Sequence, residues 1–492
     1  MAFALRVYTD PSGRVKTGMK TRKSVFVGIA ILLAVFAFLV ASDNRDQETA
    51  NQLARQRDQI APSVSPQGTS DRFQPGMFRL TAALTAEQED VRGHWTIKNG
   101  VSSSYVELPF APTTDGTLPS SETGDESNWT ADMSSNPGFM GASACAECHR
   151  DRHDSFVDTA HHKTSGTVEP GKISGHFSEP GNTLKTSDPN LFFTMKQRGD
   201  RYFQEVSFGD WNLEFPLDVF TGSAKSGQSF LYWFRDALFQ SHVSYVSEPG
   251  QWIASPGYDD TNIIYTRVIR TGCLECHITY VDTKPGPNLY HRDSVIWGIS
   301  CERCHGPGRR HVEFHRQNPE SKQAKFIVHP TDLPRQRQLD ICGQCHSGSF
   351  SLIGDAFSFR PGDDLDDYHK LLDPDFKGVG SIHTSNQLTR LSLSKCFQTS
   401  EMTCTTCHDP HQDQRGNVAV FTKGCLSCHE PAHCGMSEKL GERIADNCVA
   451  CHMPMGDNEG MTLRLSGGSF TVSMIDHFIR VDKKATGEYL SK

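Results

Sequence analysis

Residues 403–453 read TCTTCHDPHQDQRGNVAVFTKGCLSCHEPAHCGMSEKLGERIADNCVACHM, and the pattern Cys-x-x-Cys-His occurs there three times. The copies are Cys404/Cys407/His408, Cys425/Cys428/His429 and Cys448/Cys451/His452. Toward the N-terminus the pattern recurs at Cys145/Cys148/His149, Cys273/Cys276/His277, Cys301/Cys304/His305 and Cys342/Cys345/His346. Seven copies take up 14 of the 16 cysteines. Composition alone gives roughly 0.02 chance copies in a chain of this length.

The spacing suits one chemistry. Two thiols separated by two residues add as thioethers to the vinyl groups on one edge of haem, and the next residue is forced beneath the iron. The 14 cysteines are therefore the expected attachment points. His149, His277, His305, His346, His408, His429 and His452 are the expected proximal ligands, and seven haems c the expected cofactors. Paired CxxC motifs also build zinc ribbons, but zinc does not demand a histidine after every second cysteine. The two cysteines left over, Cys396 and Cys434, lie in the part read below as exported, where a disulfide between them is the expectation.

Working outward, six of the seven motifs fall in the 180 residues from Cys273 to His452. Cofactors spaced so densely have edges that lie close together, and a conducting array follows. Hydrophobic residues make up only 36% of the chain. That composition is a weak builder of a large aliphatic core, and buried cofactors would supply the missing apolar volume. The net charge of −9 argues against a nucleic-acid partner, which favours a basic face.

The N-terminus sets the compartment. Val25 to Ala41 is a run of 17 apolar or glycine residues, preceded by Arg6, Arg14, Lys16, Lys20, Arg22 and Lys23 against Asp10 alone. The run is long enough to span a bilayer, and the basic flank places the N-terminus in the cytoplasm; a cleaved signal peptide is the alternative. The expected organisation is a cytoplasmic basic segment at 1–23, a single transmembrane anchor or signal at 24–42 and an exported linker region at 43–140. A multihaem domain follows at 141–481, then a C-terminal tail at 482–492. Within the haem domain, residues 173–258 read as a β-rich insertion. The segment 191–207 alternates around Gly199 and Asp200, a hairpin signal, and 230–246 reads as a second, aromatic-rich hairpin.

Fifteen histidines remain as sources of a sixth ligand. His411 lies three residues past His408, too near to reach the same iron, and is a candidate for a neighbouring haem. His311 follows CHGPGRR in the same manner. His161 or His162 follows the first motif at a plausible distance. His383 and His477 stand alone, and spacing by itself does not single them out; His176 and His242 lie in the β-rich insertion. Met453 and Met455 follow the last motif, where methionine more often packs against a porphyrin than ligates it.

With these stretches in hand, the chain resembles the multihaem c-type cytochromes of the doubled-CxxCH type, related to the tetrahaem electron carrier of nitrifying bacteria. The resemblance covers residues 139–481. It rests on GASACAECH, GSAKSGQSFLY, SPGYDD, ISCERCHGPGRRH, DICGQCH, KCFQTSEMTCTTCHDPH, CLSCHEPAHC, NCVACHMP and IDHFIR. It implies a bis-histidine electron-transfer protein of the bacterial periplasm, and it raises His311, His383, His411 and His477 as distal ligands. The fold class expected is mostly irregular and α-helical, wrapped around a haem stack, with the β-rich insertion and the single N-terminal transmembrane helix. The expected activity is electron transfer outside the cytoplasmic membrane with redox partner proteins, a membrane quinol-oxidising complex being the candidate donor. The alternative is an oxidoreductase in which one open-site haem acts on a small nitrogen or sulfur compound. No CxxCK motif, which would favour that alternative, is present.

Overall fold

The computed structural model describes residues 78–79, 84–88, 94–100, 102–112, 118, 134–371, 382–465 and 468–491. The apolar run at 25–41 lies outside them. Among the described residues no helix is long and apolar enough to cross a membrane.

Alternation of side chains builds three sheets between the N-terminal described strands and residue 264. Leu191–Arg198 pairs antiparallel with Arg201–Phe208, closing with Arg198 opposite Arg201 around Gly199. Gly199 has φ 59°, the left-handed conformation that a two-residue hairpin turn requires and glycine adopts without steric cost. Trp211–Pro216 and Thr183–Lys185 complete this four-stranded meander. The second predicted hairpin is Gly227–Phe234 against Ala237–Val246. Gln251–Ala254, Val219–Thr221 and Ser165–Thr167 extend it to a five-stranded antiparallel sheet. A third sheet joins Phe78–Arg79, Leu84–Gln88, Trp95–Asn99 and Tyr105–Leu108, with Asn262–Ile264 added parallel to the last.

This third sheet departs from the reading of 43–140 as linker. Leu84, Ala86, Ile97, Val106 and Leu108 are buried in the same cluster as Phe193, Phe208, Phe215, Phe230, Tyr232 and Tyr265. The β-rich part therefore has a conventional aromatic core, with the rings of Phe215 and Tyr265 stacked at 3.6 Å. Burying such rings is the largest apolar contribution a side chain makes. The low overall hydrophobic content comes from elsewhere.

Beyond residue 300 the elements are short helices, among them Glu302–His305, Arg309–Gln317, Arg335–His346, Gln387–Ser392, Lys395–Gln398, Val418–Leu426 and Cys448–His452, with two two-stranded antiparallel sheets, Phe350–Leu352 with His369–Leu371 and Met455–Leu465 with Gly468–Ile475. Arg309–Gln317 and Cys448–His452 bury no residue. The apolar cluster among these helices has only Leu339, Leu391 and Phe397 fully buried. Helices this short are marginal by themselves. Arg335–His346, Gln387–Ser392 and Lys395–Gln398 pack on one another through this small cluster.

Candidate haem-binding site

Each motif forms one tight turn. The His149 N–H bonds the Cys145 carbonyl at 2.9 Å, and the same bond links His305 to Cys301, His408 to Cys404 and His429 to Cys425, each at 3.0 Å. His277 N–H reaches Leu274 instead, at 2.9 Å. One turn places both thiols and the following imidazole on a single face, the arrangement that thioether attachment and axial ligation need.

Four of these histidines face a second imidazole. Ring centroids are 6.4 Å apart for His149 and His311, 6.2 Å for His346 and His161, and 6.0 Å both for His305 with His411 and for His408 with His477. Two metal–nitrogen bonds of about 2 Å each, plus the half-widths of two imidazoles, add up to roughly 6 Å. The gap in each pair is the width of one six-coordinate iron. Three of the pairs are near-parallel, at 19–27°. The His161 and His346 planes are inclined at 67°.

The free nitrogens point the same way. A ligand must offer a bare Nε2, which is assured when Nδ1–H is spent on an acceptor. Nδ1 of His305 donates to the Val328 carbonyl at 2.8 Å, that of His346 to Thr384 at 2.6 Å, and that of His452 to Arg480 at 3.1 Å. Nδ1 of His277 lies 3.1 Å from the Thr164 hydroxyl. Across the gaps, His311 Nδ1 donates to the Lys325 carbonyl at 2.9 Å, and His411 Nδ1 to the Asp409 carboxylate at 3.2 Å. Burial, with the neighbouring histidines, pushes the pKa of His161 and of His477 down to about 4. Both rings are therefore neutral at pH 7, the form that binds metal. The residues fit the group.

Each distal histidine is lent by a segment following a different motif. His311 is six residues past His305 and faces His149; His411 is three past His408 and faces His305; His161 is twelve past His149 and faces His346; His477 is 25 past His452 and faces His408. Gly298 secures one of these loans. It has φ 67°, and any side chain there would overlap the His162 carbonyl, while the Ile299 N–H bonds the His161 carbonyl at 3.0 Å.

The other candidates lie elsewhere. His162 makes an edge contact with Phe156 at 5.9 Å. His383 Nδ1 accepts the Ser385 N–H at 3.0 Å, which leaves the proton on Nε2, opposite to a ligand. His242 uses both nitrogens, with the Asp259 carbonyl at 2.9 Å and the Ile264 N–H at 3.2 Å, and stacks on Phe193. It is a satisfied core residue. His277, His429 and His452 have no second imidazole at the iron-spanning separation among the described residues.

The motifs also touch one another. The thiol of Cys145 lies near that of Cys301, Cys276 near that of Cys345, Cys342 near that of Cys404, and Cys425 near that of Cys448. Cys304 lies beside Cys345, and Cys407 beside Cys428. With the motifs numbered along the chain from Cys145 to Cys448, adjacency runs from motif one through three, four, five and six to seven, with motif two joined at four. The expected disulfide is not formed: Cys396 and Cys434 are free. Cys396 lies near Cys407 and Cys425, and Cys434 near Cys448 and Cys451, so the two sit by different motifs.

Among the motif cysteines, Cys148, Cys273 and Cys428 are exposed and the remaining eleven are half-buried. Motif one stands at the end of the line of contacts, and its inner thiol, Cys145, is the one turned toward Cys301. Cys148 lies instead near the guanidinium of Arg316, which pairs with Glu147 at 2.9 Å where both side chains are more than half exposed. A thiol open on one side is what addition to a vinyl edge requires, so exposure is compatible with attachment at all three.

Comparison with known proteins supports haem c as the cofactor. The family model for cytochrome c554 and c-prime matches residues 258–306, which hold motifs two and three. The chain is a multihaem c-type cytochrome related to that of the nitrifying bacteria. It is 29% identical over 79 residues to cytochrome c-554 of Nitrosomonas europaea, covering 15% of this chain and 34% of that one. It is 26% identical over 205 residues to the multihaem cytochrome MtrA of Shewanella baltica, covering 38% and 56%. It is also 26% identical over 220 residues to the dissimilatory sulfite reductase MccA of Wolinella succinogenes, covering 37% and 27%. The matches thus span about half or less of these relatives' lengths. Among solved structures, the outer cell wall cytochrome OcwA aligns with 72% of this chain and 82% of its own, at 16% identity and a TM-score of 0.47.

Some of what positions the site has no signature in sequence. The carbonyl acceptors at Lys325, Val328, Thr384 and Arg480 are backbone atoms, and no residue type announces them. Glu275 and Arg303 were visible as charges inside motifs two and three, in CLECH and CERCH, a position where burial makes a charge costly.

Proposed function

We propose that the chain binds seven haems c, one on each motif, and passes electrons along them outside the cytoplasmic membrane. The observation that carries this reading is the set of four facing histidine pairs at 6.0–6.4 Å. Each bound haem supplies a one-electron couple. The cysteines would fix each group by its edge, and each pair of imidazoles would hold one iron between them, which would leave no position for a substrate there. The contacts between motifs keep neighbouring groups close. The apolar run at 25–41 with its basic flank supports export and a tether beside a membrane donor such as a quinol-oxidising complex. A stepwise reductive titration of the exported protein tests this. Seven one-electron equivalents per chain are expected, with electrons redistributing among all haems. Isolated haems that do not equilibrate would contradict it.

A second reading is favoured by one observation: His277, His429 and His452 lack an opposing imidazole among the described residues. An open position at one of these irons would admit a small nitrogen or sulfur compound, and the similarity to a sulfite reductase is consistent with that class. Spectral change on adding sulfite, nitrite or hydroxylamine to the oxidised protein would support this reading. An unchanged spectrum with all of them would remove it.

A further inference from the structure

The third residues of motifs two, three and four meet. Arg303 Nη2 donates to the Glu275 carboxylate at 2.7 Å and to the Glu275 carbonyl at 3.0 Å. Gln344 Nε2 donates to the Arg303 carbonyl at 3.1 Å. The other Glu275 oxygen accepts the Phe357 N–H. The two charged side chains are 2% and 3% exposed. A further guanidinium, Arg360, is held by the carbonyls of Phe357 and Phe359 at 2.7 and 2.8 Å and is close enough to Arg303 for the two charges to repel. It lines the cavity beside His305.

A buried ion pair is poorly explained by stability, because well-packed apolar residues in its place are often neutral or better. A charge held away from water does act strongly on its neighbours. These charges lie between the attachment cysteines of two motifs and against the thiol of a third: the Cys345 sulfur is 3.9 Å from the Glu275 carbonyl. Reduction adds one negative charge to an iron centre, so a fixed positive charge nearby favours the reduced form and a fixed negative charge the oxidised form.

We propose that Arg303 and Glu275 set the reduction potentials of the irons held by His277, His305 and His346, the guanidinium raising them and the carboxylate lowering them. This rests on the reading that those motifs carry haem. Neither residue touches iron; both are positioning and tuning residues at the point where three motifs converge.

The test uses the haem-loaded protein and the variants Glu275→Gln, Arg303→Gln, Arg303→Lys and the double Glu275→Gln/Arg303→Gln. Haems are counted first, by pyridine haemochrome, and potentials then measured by spectroelectrochemistry. Glu275→Gln should shift a subset of haems upward and Arg303→Gln the same subset downward. Each shift should amount to about a tenfold change in the reduction equilibrium, about 59 mV for a one-electron couple. Arg303→Lys should stay near the parent, and the double variant should return toward it because the charges change together. Shifts of the same sign in both single variants, or none with the haem count intact, would overturn the proposal. If Arg303→Gln does not accumulate, Glu275→Gln and the double variant decide, since the double must reverse the upward shift. A parent protein lacking haem on these motifs would overturn the functional reading and this proposal together, and the haem count shows that before any potential is read.

Discussion

Replacing His311 with alanine removes the imidazole 6.4 Å from His149 and should change one iron only. The His311 ring contributes one hydrogen bond, to the Lys325 carbonyl. Its loss costs about 1 kcal/mol, small against the 5–15 kcal/mol typical of a folded domain. The variant should therefore fold and keep all seven motifs. With His149 intact the first haem stays attached but loses its sixth ligand, so low-temperature electron paramagnetic resonance of the oxidised protein should gain one equivalent of high-spin iron per chain. Added imidazole fits the vacated gap and should return that equivalent to the low-spin signal. His315 supplies the control. It packs against His311 at 4.6 Å, but its Nε2 already bonds the Gln323 carbonyl at 3.1 Å, so His315→Ala should leave the spin count unchanged. An unchanged spectrum for His311→Ala, or a high-spin gain in His315→Ala, would refute the pairing and the use of ring separation to assign ligands.

Three further outcomes follow from the geometry. Asp476 is 1% exposed and is held bidentate by Arg390 at 2.8 and 2.6 Å and by Arg480 at 2.7 Å. Asp476→Ala leaves buried guanidinium charge unpaired and should cost about 3–5 kcal/mol in denaturant unfolding, with high-spin iron appearing as His477 moves off His408. Thr164→Val removes the hydroxyl beside His277 Nδ1. The ligand becomes less basic, so the potential of that haem should rise in spectroelectrochemistry, while Thr164→Ser should match the parent. Burial lowers the pKa of His242 from 6.5 to about 4. The unfolded chain takes up that proton below about pH 6.5 and the folded chain only near 4, so stability should fall by about 3 kcal/mol as pH drops across that window. Thermal unfolding followed by β-sheet circular dichroism at pH 7, 5.5 and 4.5 measures this. A flat profile would contradict the assignment of His242 as a neutral core residue.

What could be read from the sequence follows from how local each signal is. The attachment motifs are five residues long and carry their chemistry in side chains, so cysteines and proximal histidines are legible without a fold. The hairpin at Gly199 is legible for the same reason. Which thiols lie open is not legible in that way, because exposure depends on the packing around each motif, and that packing exists only in the fold. Distal ligands are not local either. His411 and His311 stand near a motif, yet each faces the iron position of another, and His477 faces His408 across 69 residues of chain. Spacing could nominate them but not match them to partners. The choice of His161 over His162 depends on a turn pinned by Gly298, more than a hundred residues away. Strands at 84–88, 95–99 and 105–108 went unread because they are short and lie beside polar, loop-like sequence; their buried faces become apparent only against the aromatic core of 191–265. The disulfide expected from leftover cysteines failed because counting cannot say that Cys396 and Cys434 sit by different motifs.

The central claim is that all seven motifs carry covalent haem. Intact mass of the denatured, exported chain tests it most directly, because thioether-bound haem survives unfolding and metal held by folding does not. The account predicts a single dominant species heavier than the bare polypeptide by seven haems, with iron and no zinc in the native protein. A mass equal to the bare chain, a smaller haem complement, or zinc in place of iron would contradict it.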